Sequence, residues 1–241
     1  MIFFTLLSTA LAQTADEIMQ NIQAQQQWTQ SILEIDLNIE RDGKKEKQYQ
    51  LKTHLRKEQD TLYTHTEFLA PTEVAGTKII AIDFPEKPDL LHLFMPALGR
   101  VNTLNASGKK HAFMGSDLSF EDLEISNYDG AHSILSEDEK NWTIQTMGKN
   151  HPSYSKWVTV VEKSSYQLSS IDFFDKKDKL LKTMTIIEKT QALAPFPSKV
   201  EVIDRQNHSH TTFQIKNQSL EAVEIPLTLF EKEALIPKKE E

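Results

Sequence analysis

The chain has 241 residues, of which 39% are hydrophobic and 26% are charged, a composition typical of a globular protein. Its formal net charge is −8 and it contains no basic block. Because nucleic-acid binding relies on lysines and arginines that displace counterions, we expect no nucleic-acid partner. Cysteine is absent, which excludes a disulfide framework, a cysteine nucleophile, a zinc–cysteine site and a lipid anchor on cysteine.

The first twelve residues are uncharged and predict a cleaved secretory signal. An apolar run from Ile2 to Leu7 precedes Ala10-Leu11-Ala12, which fits an A-x-A cleavage site. No Lys or Arg precedes Ile2, so either the signal is atypical or the true start lies upstream; an apolar first strand is the alternative. We expect a periplasmic mature protein that begins near Gln13, with residues 13–241 forming a single domain.

A helix is predicted directly after this segment. Thr14 and Glu17 have the spacing of a capping box, in which each side chain reaches a free backbone N–H of the first turn. Ile18 and Ile22 then recur at helical spacing. The pattern predicts one amphipathic helix over Ala15–Gln27, and a lone helix of this kind is a candidate lid.

The pattern then changes from helical to strand periodicity. Leu33, Ile35, Leu37 and Ile39 alternate with polar residues, which is typical of a strand with one apolar face. The following Asp42-Gly43 predicts a hairpin turn, because both residues tolerate a positive φ.

Further strands follow at short intervals and are separated by turn residues. They are predicted around Tyr49–Leu55 and over Leu62–Leu69, Thr77–Phe84, Leu90–Met95, Trp142–Met147, Lys156–Lys163, Gln167–Phe174, Leu180–Lys189, Lys199–Asp204 and His210–Lys216. Roughly a dozen such strands with few helices predict a mainly β fold, an antiparallel sheet curled into a barrel or half-barrel.

Two segments interrupt the strands. Ser116–Leu123 predicts a short helix with Ser116 as its N-cap and acidic residues in its first turns. Pro226–Leu235 predicts another short helix, with the proline near its first turn.

Three blocks between Phe68 and Leu123 resemble the LolA-like outer-membrane lipoprotein-sorting family. They read FLAPTEVAGT from Phe68, LFMPALGRV from Leu93 and FMGSDLSFEDL from Phe113. The last two blocks are long and specific. The strand-rich remainder of the chain agrees with this resemblance.

The resemblance implies an incomplete, open antiparallel β-barrel with a few covering helices around an apolar cavity. It also implies a carrier that ferries acylated lipoproteins or lipids between membranes. Since each exposed CH₂ costs about 0.8 kcal/mol in water, an acyl chain needs such a shelter. Two alternatives remain open, namely an accessory protein of a membrane lipid exporter and a ligand-sensing or adaptor module of the same fold.

The candidate site follows from these patterns. The candidate cavity residues are Leu33, Ile35, Leu37, Ile39, Leu93, Met95, Phe113 and Met114. The candidate lid residues are Ile18, Ile22 and Arg100. Ordinary core is the alternative for most of the apolar residues, and a strand-edge charge is the alternative for Arg100.

Nothing in the sequence predicts catalysis, a cofactor or a bound metal. Asp117, Glu121, Asp122 and Glu124 are expected to form a solvated acidic face, and Ser116 lacks the G-x-S-x-G context of a hydrolase nucleophile. Two histidine pairs, His54 with His65 and His208 with His210, could each supply two metal ligands, but hydrogen-bonded or solvated histidines are the expectation. The expected partners are acyl chains, an inner-membrane transporter and, transiently, a membrane, with the protein itself a monomer.

Overall fold

A single antiparallel sheet of thirteen strands forms the body of the molecule. A computed structural model describes residues 13–24, 28–104, 112–119, 122, 130–148, 151, 153–189, 196–220 and 224–236. The sheet order is β6-β5-β4-β3-β2-β1-β13-β12-β11-β10-β9-β8-β7. Strands adjacent in the chain therefore pair with each other, except β6 and β7, which lie at opposite edges, and the first strand also pairs with the last. This sheet, with β6 and β7 as its two edges, confirms the predicted mainly β, open-barrel class.

The strands have the following bounds: β1 Gln30–Arg41, β2 Lys44–Glu58, β3 Thr61–Ala70, β4 Lys78–Asp83, β5 Leu90–Met95, β6 Arg100–Leu104, β7 Ala131–Glu137, β8 Asn141–Met147, β9 Tyr154–Glu162, β10 Leu168–Asp175, β11 Leu180–Glu188, β12 Lys199–Asp204 and β13 Ser209–Leu220.

The hairpin between β1 and β2 shows how the residues of a turn determine the register of the strands that it joins. Asp42 and Gly43 both adopt positive φ, 50° and 71°, as the sequence predicts for this turn. The turn fixes the register beyond it, so that Leu37 lies opposite Tyr49 and Ile35 opposite Leu51. All four side chains therefore share one face of the sheet.

The sheet has two faces, and both are covered in part. We call the face that carries Leu37, Phe68 and Ile171 the inner face, and the opposite one the outer face. On the outer face, Ile80 and Phe94 pack under the C-terminal residues 224–236. There the predicted helix Pro226–Leu235 is instead two short 3-10 turns, Leu227–Phe230 and Lys232–Leu235.

Two strands were missed by the sequence patterns, and they are the two edges of the sheet. Six of the seven residues of β7 are exposed, all except His132, so no alternation marks this strand. In β6 the residues are exposed or half-buried. An edge strand has a neighbour on one side only, which weakens the burial pattern from which strands are predicted.

One α-helix, α1 (Ala15–Ala24), precedes the sheet. Its capping box forms as predicted: Thr14 N–H donates to Glu17 Oε2 at 2.8 Å and Glu17 N–H donates to Thr14 Oγ1 at 3.2 Å. The predicted helix extended to Gln27, and residues 25–27 lie outside the described part, as does the predicted signal over residues 1–12. In the described ranges no helix is both long enough and apolar enough to cross a bilayer.

Candidate functional site

The inner face carries a packed apolar cluster that contains most of the predicted cavity residues. Leu37 and Ile39 of β1 are fully buried in it beside Phe68 and Phe113. The sequence therefore located residues that lie together in the structure, although they come from strands and loops far apart in the chain. Three other predicted residues are half-buried at the margin of this cluster: Ile35, Leu93 and Met114.

The remaining predicted residues lie elsewhere. Leu33 packs in a separate small cluster with Trp28 and Leu55. Met95 is half-buried at the end of β5, and Arg100 is exposed at the start of the edge strand β6, opposite Met95. Arg100 thus occupies a strand edge.

A second apolar cluster continues the inner face across the other half of the sheet. It contains Trp157, Phe173 and Met184 from three neighbouring strands. Phe213 of β13 packs against both this cluster and the first one. The two clusters therefore form a continuous apolar surface along the inner face.

Helix α1 covers the far end of this surface. Ile18 is fully buried against Trp142 and Ile144 of β8. Ile22 is half-buried in the same cluster, and Gln13 before the helix bonds the Tyr166 hydroxyl through its side-chain amide, which donates at 2.9 Å. Both predicted lid residues of the helix thus face the sheet.

The middle of the inner face is covered by residues 112–119 together with Asp122, which we call the cover segment. Phe113 inserts into the first apolar cluster and Leu118 into the second. A sharp reversal separates these two side chains, since Met114 and Gly115 both adopt positive φ, 53° and 83°. One short segment therefore fills both halves of the apolar surface.

Asp122 anchors the cover segment through a buried polar network. Its side chain is fully buried and forms an ion pair with Lys182 of β11, which is 5% exposed. The Tyr154 hydroxyl donates to Asp122 Oδ1 at 2.6 Å, and Ser119 donates its hydroxyl to Oδ2 at 2.8 Å. Burying a charge is tolerable only when it is paired and hydrogen-bonded in this way.

Asp117 makes a second anchor to a different strand. Thr211 Oγ1 of β13 donates to Asp117 Oδ2 at 2.6 Å and also accepts the Asp117 N–H at 3.0 Å. The Ser209 hydroxyl donates to Asp117 Oδ1. The cover segment is therefore tied by carboxylates to β9, β11 and β13.

These contacts correct two sequence predictions. The acids were expected to form a solvated face. Asp122 is instead buried and Asp117 half-buried, because each accepts hydrogen bonds from donors on distant strands. Glu121 and Glu124 lie outside the described residues. Ser116 is not the N-cap of a helix: it ends the 3-10 turn Phe113–Gly115, and its N–H donates to the Phe113 carbonyl.

Lys182 and Tyr154 were not found by the sequence patterns. A signal for Lys182 does exist, because it shares its strand face with Met184, two residues further on, which is buried. A lysine at an inward position of an alternating strand requires a buried counter-charge. No comparable signal marks Tyr154.

His54 and His65 face each other on the outer side of β2 and β3, as predicted, with ring centroids 5.8 Å apart. Burial lowers the pKa of His65 to about 4, and the neighbouring His54 acts in the same direction. Burial also lowers the pKa of His54. Across the described ranges, no group of three or more His, Asp or Glu side chains is placed to hold a metal ion.

Comparisons with known proteins agree with this architecture. A family model described as an uncharacterized protein matches residues 60–236. No curated protein matches the sequence.

Solved structures from several bacteria share the fold. A DUF1329 family protein from Desulfovibrio piger superposes with a TM-score of 0.84 at 23% identity, covering 93% of this chain and 100% of that one. A domain from Vibrio parahaemolyticus described as outer membrane lipoprotein-sorting gives 0.83 at 24% identity, covering 92% and 97%. A LolA superfamily protein from Nitrosomonas europaea gives 0.72 at 17% identity, covering 92% and 100%.

Proposed function

The chain belongs to the LolA-like family, and we propose from that premise that it is a carrier for the acyl chains of lipids or lipoproteins. The observation that carries the proposal is the continuous apolar inner face, which is covered by α1 and the cover segment rather than by a second sheet. A surface covered by short segments can be uncovered without disrupting the strands beneath it.

The energetics of an acyl chain suit this surface. Each CH₂ group that leaves water gains about 0.8 kcal/mol. In the proposed carrier, the acyl chain of the cargo takes the place of Phe113 and Leu118, the side chains that fill the two apolar clusters in this structure. One set of apolar contacts replaces another, so the net binding energy stays moderate and the cargo can be released to an acceptor.

The acids of the cover segment fit a carrier better than an enzyme. Asp122 is saturated by Lys182, Tyr154 and Ser119, and Asp117 by two hydroxyls of β13. Carboxylates used in this way position a segment. The proposed role of both is therefore structural.

The proposal places the carrier in the periplasm as a monomer. Residues 1–12 have the pattern of a secretory signal, and a periplasmic carrier needs a donor, for which an inner-membrane transporter is the proposed partner. Its contact with either membrane is transient.

The test is a matched pair of substitutions on one strand. Leu93 of β5 is half-buried beside the first apolar cluster, whereas Leu90 of the same strand is exposed and does not share its face. Leu93→Gln should weaken binding of a fluorescent fatty acid about tenfold, since a buried amide without a partner costs roughly 1–3 kcal/mol. Leu90→Gln should bind as the wild type does.

Equal binding by both variants would exclude the inner face as the binding surface. No binding by the wild type would contradict the carrier function itself. Mass spectrometry of lipids extracted from protein purified from cells then identifies the cargo, because lipoprotein and free lipid differ in mass.

A further inference from the structure

A cavity of about 350 Å³ with a mixed polar and apolar lining lies between the cover segment and one end of the sheet. This volume is within the range of small-molecule sites, roughly 300–1,000 Å³. Its lining is rich in groups that donate or accept hydrogen bonds, among them Arg41, Ser153, Lys182, Asp204, Asn207 and Ser209. Leu118 and Tyr154 belong both to this lining and to the second apolar cluster. The cavity therefore adjoins the apolar inner face.

The strand register makes the boundary between polar and apolar surface explicit. Four neighbouring strands contribute one cross-strand row at the cavity: Arg41, Ser209, Asp204 and Lys182. Two residues further along the same strands lies the next row on that face: Ile39, Thr211, Val202 and Met184. Two residues of a strand span about 7 Å. An amphiphile at this place would meet polar groups first and, immediately beyond them, a row that is apolar except for Thr211.

The charges at the cavity limit which headgroup fits. Asp204 accepts hydrogen bonds from the backbone N–H groups of Gln206 and Asn207 and from the Asn207 amide, each at 2.8 Å. Together with Asp117, which also lines the cavity, it would repel a phosphate or sulfate group.

A quaternary ammonium group fits poorly for a different reason. It has no N–H or O–H to donate to the lining, and the cations at the cavity, Arg41 and Lys182, are already ion-paired with Glu46 and Asp122. Hydroxyl groups can donate to carboxylates and accept from guanidinium, amide and serine groups. An uncharged headgroup with several hydroxyls suits this mixed lining.

We propose that this cavity binds the uncharged, hydroxyl-bearing headgroup of an acyl lipid, with a sugar or glycerol as the polar part. The acyl chain continues inward onto the second apolar cluster, where it takes the place of Leu118. This inference rests on the proposed carrier function and adds the class of ligand that the carrier selects.

The experiment compares three amphiphiles that share a ten-carbon chain: decyl glucoside, decyl phosphate and decyltrimethylammonium. Calorimetric titration below the micellar concentration of each should show decyl glucoside binding about tenfold more tightly than either charged ligand, a difference of about 1.4 kcal/mol. Free glucose should not bind measurably. Glucose binding as tightly as decyl glucoside would indicate a soluble-sugar site and would overturn the proposal.

A matched pair of variants tests whether the preference for decyl glucoside arises at this cavity. Ser153→Tyr fills the cavity and should remove the preference for decyl glucoside, whereas Ser164→Tyr, in an exposed turn away from the cavity, should retain it. If Ser153→Tyr does not fold, Asp204→Asn serves instead: it keeps an acceptor at the turn, removes one negative charge and should strengthen decyl phosphate binding.

The outcomes separate the two proposals. If none of the three amphiphiles binds, the carrier function fails and this inference fails with it. If all three bind equally and neither Ser153→Tyr nor Asp204→Asn changes that, the headgroup site is wrong while the carrier function stands.

Discussion

At the scale of single residues, the ion pair between Asp122 and Lys182 is the contact on which the cover segment depends most. Both side chains are buried, and the pair joins the segment to β11 across 60 positions of sequence. Removing one partner of a buried pair leaves the other charge without compensation, which typically costs about 3–5 kcal/mol.

We therefore predict that Asp122→Ala lowers the free energy of unfolding by about 3–5 kcal/mol, measured by urea denaturation. The double variant Asp122→Leu with Lys182→Met removes both charges and should recover part of that loss. A single variant as stable as the wild type would show that the two charges do not hold the cover segment.

At the scale of elements, α1 and the cover segment differ in how they are held. Carboxylates tie the cover segment to three strands, whereas apolar contacts centred on Ile18 hold α1 against β8. Apolar contacts have no directional preference, so a helix held by them can be displaced and can return without a specific partner exchange. This difference makes α1 the element expected to open first.

Ile18→Ala should accordingly accelerate uptake of a fluorescent fatty acid in stopped-flow mixing. Truncating a buried isoleucine to alanine typically lowers stability by about 2–5 kcal/mol, and here this loss weakens the packing of α1 against the sheet. Gln20→Ala, on the exposed side of the same helix, is the control and should leave the rate unchanged. Hydrogen exchange should show faster opening of α1 in Ile18→Ala, and an unchanged uptake rate in that loosened variant would exclude α1 as a lid.

At the scale of the whole molecule, stability should depend on pH through a histidine remote from the inner face. His65 lies buried on the outer face, where its pKa falls to about 4 against an ordinary value near 6.5. The folded protein therefore binds this proton less readily than the unfolded chain does. The contribution of neutral His65 to the free energy of unfolding is therefore complete above about pH 6.5 and is lost as the pH falls toward 4.

We predict that the urea midpoint of the wild type decreases between pH 7 and pH 4.5, with His65 contributing about 2–3 kcal/mol over that interval. His65→Leu should flatten this part of the profile, whereas His132→Leu, in the edge strand β7, should not. A profile that keeps its slope in His65→Leu would assign the pH dependence to other groups.

Local patterns in the sequence predicted eleven of the thirteen strands, the turn between β1 and β2, the capping box of α1 and the blocks that resemble the LolA-like family. Alternation with a period of two is visible wherever a strand has a buried face, as from Leu33 to Ile39 in β1. The same alternation identified Leu37 and Ile39 as inner-face residues, because their polar neighbours mark the opposite side.

The polar contacts and the edge strands depend on how distant parts of the chain come together. Asp122 has its partner on β11 and Asp117 on β13, and nothing within a few residues of either acid specifies that partner. The strands β6 and β7 gave no clear alternation because each has a neighbour on one side only. Periodicity records burial of a local segment, whereas the pairing of distant charges and the position of a strand within the sheet exist only once the chain has folded.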